Sequence, residues 1–220
     1  MKRLFLYLTF MPFLLSCNDK GDNYKYLTFI KAGQIDGTGI RYVDIIPDDT
    51  IIIVEYPDFN FRKSKNPYNY VIWSINSINF FNATRNLDLD NDNVSDFELV
   101  FTRSDPGIMG YKNWRLEIKP LGMNSICVTE SGNNWADSLK YNDTISNINN
   151  WSDSTVLLFD HQWSLNSPNS PIISTKGYWY DTDSIYLAVK IVKDSNQLYG
   201  WIDIKKNIIR QYGVTIPYQE

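Results

Sequence analysis

Apolar and aromatic residues in this chain come in short bursts separated by turn formers, and no stretch sustains a 3.6-residue period. From Tyr26 onward the bursts predict strands at about 26–30, 41–46, 50–56, 70–80, 97–103, 114–119, 125–130, 155–159, 172–179, 184–193, 198–205 and 208–216. Pro47-Asp48-Asp49, Asp105-Pro106-Gly107 and Asp194-Ser195-Asn196 supply turn chemistry between several of them. Trp114-Arg115-Leu116-Glu117-Ile118-Lys119 alternates cleanly, which predicts an antiparallel strand with one wet face. Ile51-Ile52-Ile53-Val54 is unbroken and predicts a strand buried on both faces. The Asn- and Ser-rich segment 131–154 reads as a long loop or an internal boundary. The expected fold is all-β, an antiparallel sandwich or jelly-roll-like single domain over 26–220.

The amino end has a different pattern. Met1-Lys2-Arg3 is positive, and Leu4 to Leu15 is apolar apart from Tyr7, Thr9 and Pro12. That run is too short to cross a bilayer as a helix, which needs about 20 residues. It ends in Leu14-Leu15-Ser16-Cys17, followed by polar Asn18-Asp19-Lys20-Gly21-Asp22. This segment resembles the lipobox signal of bacterial lipoproteins, with Leu15 a less usual residue before the small one. The resemblance implies that residues 1–16 are a signal peptide that is removed, and that Cys17 becomes an acylated N-terminus. Residues 17–25 would then be a lipidated tether. The expected location is the cell envelope, on the periplasmic face or the cell surface, with the lipid bilayer as partner. An ordinary secretory signal with an incidental cysteine is the alternative.

Removing residues 1–16 takes away Lys2 and Arg3 and moves the formal charge from −4 to −6. An acidic chain has no electrostatic footprint for nucleic acid or anionic lipid. The other cysteine, Cys127, lies among β-formers in Asn124-Ser125-Ile126-Cys127-Val128-Thr129 and is read as a small buried hydrophobe.

The densest chemistry lies in Asp88-Leu89-Asp90-Asn91-Asp92-Asn93-Val94-Ser95-Asp96, with aspartates at relative positions 1, 3, 5 and 9. Hard cations take oxygen ligands, and Ca2+ takes about six to eight at roughly 2.3–2.6 Å. Carboxylates about 4 Å apart repel by something like 4 kcal/mol per pair at an effective dielectric of about 20, and a bound cation removes that penalty. The expected ligands are Asp88, Asp90, Asp92 and Asp96, the Val94 carbonyl and water. The loop departs from the EF-hand, which has Gly at position 6 and Glu at position 12, since Asn93 and Leu99 stand there and Glu98 falls one place short. Asn93 tolerates the left-handed conformation and can replace the glycine. The loop resembles the D-x-D-x-D-x-x-x-D calcium loops of integrin-type and thrombospondin-type repeats. An acidic surface turn without metal is the alternative.

Tyr186-Leu-Ala-Val189-Lys-Ile-Val192 and Leu198-Tyr-Gly-Trp201-Ile-Asp-Ile204, with a short polar turn between, read as a hairpin. With Tyr42-Val-Asp-Ile-Ile-Pro47 and the aspartate loop running into Asp96-Phe97, they resemble a group of exported bacterial proteins. That group shares a D-x-D-x-D-G-x-x-D-F segment and a late Y-G-W-I strand. The resemblance covers roughly 40–200 and implies an exported, calcium-binding β-domain without indicating an activity. Asn93 departs from the group's glycine.

The usual catalytic equipment is sparse. His161 is the sole histidine, no nucleophile-elbow pattern accompanies it, and it is read as a surface or loop residue. Zinc takes several His or Cys ligands, which this chain does not supply. Carboxylate pairs such as Asp181 and Asp183, beside Tyr178-Trp179-Tyr180, leave glycoside hydrolysis open. Exposed tryptophans stack on sugars, which makes Trp135, Trp151 and Trp179 candidate ligand-binding aromatics, with core packing as the competing account. The reading preferred from sequence is a binding or structural module, not an enzyme, with a glycan or another envelope protein as its partner. An envelope hydrolase acting on carbohydrate is the alternative.

Overall fold

The computed structural model describes residues 24–51, 70–75, 78–106, 111–130, 134–164, 172–177, 179, 185–205 and 207–219. Among them the regular elements are all strands: β1 (Phe29–Lys31), β2 (Ile40–Thr50), β3 (Tyr70–Ile75), β4 (Ile78–Leu87), β5 (Phe97–Pro106), β6 (Tyr111–Pro120) and β7 (Ser125–Cys127). The second half adds β8 (Thr144–Ser146), β9 (Trp151–Ser152), β10 (Val156–Ser164), β11 (Ile172–Lys176), β12 (Tyr186–Lys193), β13 (Asn196–Lys205) and β14 (Ile208–Thr215). A front sheet runs β11-β10-β6-β5-β4-β3, a back sheet β2-β14-β13-β12-β7-β9, and β1 pairs with β8 in a third, small layer. Every ladder between these described strands is antiparallel.

The alternation read in 114–119 sets the front sheet's two faces. Leu116 and Ile118 are fully buried, whereas Lys119 is exposed. Register continues the apolar face across β5 and β4, because Ile118 lies opposite Leu99, Leu116 opposite Phe101, and Phe97 opposite Leu87. This face meets Leu187, Val189, Ile191, Ile202, Ile204 and Ile209 of the back sheet in one core. Fully burying a side chain of this size stabilises by about 1.5–3 kcal/mol.

The back sheet is covered on both faces. Its second face carries Tyr186, Ala188, Tyr199 and Trp201, packed beneath Ile30, Ala32 and Ile145 of the small layer and its flank. Two-sided burial is why 186–192 and 198–204 read as nearly continuous apolar runs. One ion pair sits in this layer. Asp203, 3% exposed, accepts Arg210 Nη2–H at 2.6 Å and Gln211 Nε2–H at 3.0 Å. The Tyr42 hydroxyl donates in turn to Gln211 Oε1 at 2.7 Å.

Several strands differ from the sequence reading. The run expected over 70–80 is two strands, β3 and β4, with Ile75 opposite Ile78. In sequence, Ile75 and Ile78 lie close enough to read as one β-rich run. Segment 131–154 holds β8 and β9, together with isolated bridges from Ala136 to Val128 and from Leu139 to Tyr186. Strands this short carry too few residues for a period to register. Ile51 is fully buried but lies outside the strands, and Ile52, Ile53 and Val54 lie outside the described residues.

Candidate metal centre

The aspartate loop is the connection between β4 and β5. The Asp96 N–H donates to the Leu87 carbonyl at 2.7 Å, and Leu87 lies opposite Phe97 in the ladder. Leu89 is 1% exposed, so one apolar side chain pins the loop to the core while Asn91 to Val94 stay exposed. The curl is made by Asn91 and Asn93, at φ 61° and 68°. Asparagine is among the few residues that enter this region at modest cost. Asn93 thus takes the glycine's conformation, as expected, and Asn91 does so as well.

Side-chain acceptors hold the turn. Asp88 Oδ1 accepts the Asn91 N–H at 2.7 Å, and its Oδ2 accepts that of Asn93 at 2.8 Å. Asp92 Oδ1 accepts the Val94 N–H at 2.8 Å. This local bonding wraps the backbone round its own carboxylates. Asp88, Asp90 and Asp96 each bring an oxygen within 4.8 Å of the others. Two oxygens on opposite sides of a cation at about 2.4 Å are about 4.8 Å apart, so the trio can hold a metal ion. Asp92 stands outside the trio and turns its Oδ2 to Lys193 Nζ at 2.9 Å. Glu98 lies beyond the loop on β5, 3.8 Å from Lys119 Nζ.

Two residues distant in sequence complete the surroundings. Asn124, between β6 and β7, donates its amide to Asp96 Oδ1 at 3.2 Å. Lys193, at the end of β12, reaches Asp90 Oδ2 at 2.7 Å. Burial pushes the Asp96 carboxyl up to about 6, against the pull of the Leu89 N–H. The hydrogen bond from Lys193 lowers Asp92, and those to Asp90 and Asp92 raise Lys193 in return. Neither Asn124 nor Lys193 was singled out by sequence. Their partners lie 28 and 103 positions away, and only the pairing of strands and the stacking of the two sheets bring them together.

Of the other candidates, Cys17 lies outside the described residues, as do Asp181 and Asp183. Trp179 is 1% exposed, a core residue with no free face for a sugar. Trp151 is half-buried against Tyr199 at 6.0 Å, with Lys190 Nζ 5.1 Å from its ring and its indole N–H on the Ser146 carbonyl. Trp135 is half-buried and bridges to Leu157. His161 corrects the expectation of a surface or loop residue. It lies in β10, is 7% exposed, stacks 5.2 Å from Trp114 and is hydrogen-bonded through Nδ1 to Thr175 Oγ1 at 2.7 Å. Cys127 is buried as expected, and desolvation pushes its thiol up to about 12. The chain matches no protein-family model, no curated protein and no solved structure.

Proposed function

We propose that this chain is a lipid-anchored cell-envelope protein whose β-domain is stabilised by one Ca2+ and acts as a binding or structural module. The observation that carries the reading is the convergence of Asp88, Asp90 and Asp96 within 4.8 Å. Asp92 and the Val94 carbonyl complete the set with water. Their inclusion follows from the loop's alternation, and Asp92 needs only to turn from Lys193 toward the ion. Calcium accommodates this irregular oxygen set better than Mg2+, which demands near-octahedral geometry and gives up water reluctantly. The anchor is Cys17, by the lipobox-like segment that precedes it.

Calorimetric titration with Ca2+ and Mg2+, beside thermal unfolding in Ca2+ and in chelator, tests the ion. Binding to the folded form alone adds about 2.7 kcal/mol at a hundredfold excess over Kd. Asp90→Ala should abolish that gain. No heat with Ca2+ and identical melting in both conditions would reduce the loop to an acidic turn. Labelling with a fatty-acid analogue tests the anchor: wild type should be marked and Cys17→Ser should not.

A further inference from the structure

Lys193 has a place in the acidic loop that the calcium reading leaves without a role. It belongs to β12 of the back sheet, yet its Nζ stands 2.7 Å from Asp90 Oδ2 and 2.9 Å from Asp92 Oδ2. Asp90 is one of the trio, and its side chain is only 5% exposed. A cation held by Asp90 and Asp92 through these oxygens would sit within a few ångströms of the ammonium. Two positive charges at about 4 Å repel strongly at any dielectric proper to a half-buried site. The lysine can leave without unfolding anything, because its side chain is 41% exposed and ends a flexible stem beside the Asp194–Ser195 turn.

We propose, resting on the reading that the loop binds Ca2+, that Lys193 is an intramolecular competitor for the ion. The loop exchanges between a closed state, in which the ammonium neutralises Asp90 and Asp92, and a filled state, in which Ca2+ takes those carboxylates and Lys193 swings into solvent. The ion-free loop is thereby spared the mutual repulsion of its aspartates. Affinity is correspondingly set below what the carboxylates alone would give. Ion level at the front-sheet loop is also transmitted to the tip of the β12–β13 hairpin.

The test compares wild type, Lys193→Met and Lys193→Arg by Ca2+ calorimetry. Removing the competitor should tighten binding about fivefold, the upper scale of one partly exposed ion pair, while Lys193→Arg stays near wild type. Lys193→Met should also melt lower than wild type in chelator and gain more from Ca2+. In the wild-type protein, an amine-reactive reagent read by mass spectrometry should modify Lys193 faster in Ca2+ than in chelator. Equal or weaker binding by Lys193→Met, or a labelling rate indifferent to bound Ca2+, would overturn the competitor while leaving the calcium site standing. Absence of Ca2+ binding in all three proteins would overturn the site itself and the competitor with it.

Discussion

Asn124 donates its side-chain amide to both Oδ1 and the main-chain carbonyl of Asp96, at 3.2 Å each, and accepts the Val192 N–H on its own Oδ1 at 2.9 Å. One buried side chain therefore ties the aspartate loop, the β6–β7 connection and the end of β12 together. Asn124→Ala leaves the Val192 N–H and a buried Asp96 oxygen short of a partner, so it should cost about 2–4 kcal/mol in chelator. Denaturant midpoints in chelator and in Ca2+ check this. An unchanged midpoint in chelator would remove the amide from the clamp.

The buried ion pair between Asp203 and Arg210 should be costly to halve and cheap to remove whole. Asp203→Ala removes the acceptor to which the Arg210 guanidinium donates through Nε and Nη2, at 3.1 and 2.6 Å. The expected loss is about 3 kcal/mol, the low end for a buried pair because Arg210 keeps 30% exposure. The double replacement Asp203→Leu with Arg210→Met should lose less than Asp203→Ala alone. A double-mutant cycle by urea unfolding decides it.

Cys127 should resist thiol reagents in the folded protein. It is 1% exposed, and desolvation holds its thiol near 12, so little thiolate forms at neutral pH. Reaction with an aromatic disulfide should track global unfolding. Rapid modification under native conditions would mean that the layer formed by β1 and β8 opens locally.

Gly213 marks a close approach in the back sheet. A Cβ there would lie 2.7–2.9 Å from the Trp201 ring, itself fully buried. Gly213→Ala should cost about 1–3 kcal/mol by overpacking and shift Trp201 emission, with melting temperature as the measure. Gly122 has nothing within 4 Å of its Cβ position, so crowding does not contribute there.

How far the sequence could be read depended on how local each cause was. The β12–β13 hairpin was legible because both halves are apolar and the turn takes positive φ at Asp194 and Ser195, as a tight hairpin requires. The aspartate loop was legible because its four aspartates lie within nine positions. Its lysine was not, since Lys193 meets Asp90 only after two sheets have stacked. His161, expected on a surface or loop, is buried for a related reason, and for Trp179 the core account holds. Parity in the strand turns His161 inward against Trp114, a consequence of pairing across the sheet, and Trp179 joins the core.

The pairing of β2 with β14 has a consequence for how the chain can be assembled. Ile40 lies opposite Thr215, and among the described residues β14 is the ladder partner of β2, so the first strand of the back sheet waits for one synthesised far later. The meander β12–β13–β14 can zip locally, but β2 must close a loop that spans most of the chain. Such non-local closure slows folding. It also means that a nascent or C-terminally shortened chain carries β2 as an open edge, able to recruit a strand from a neighbouring molecule.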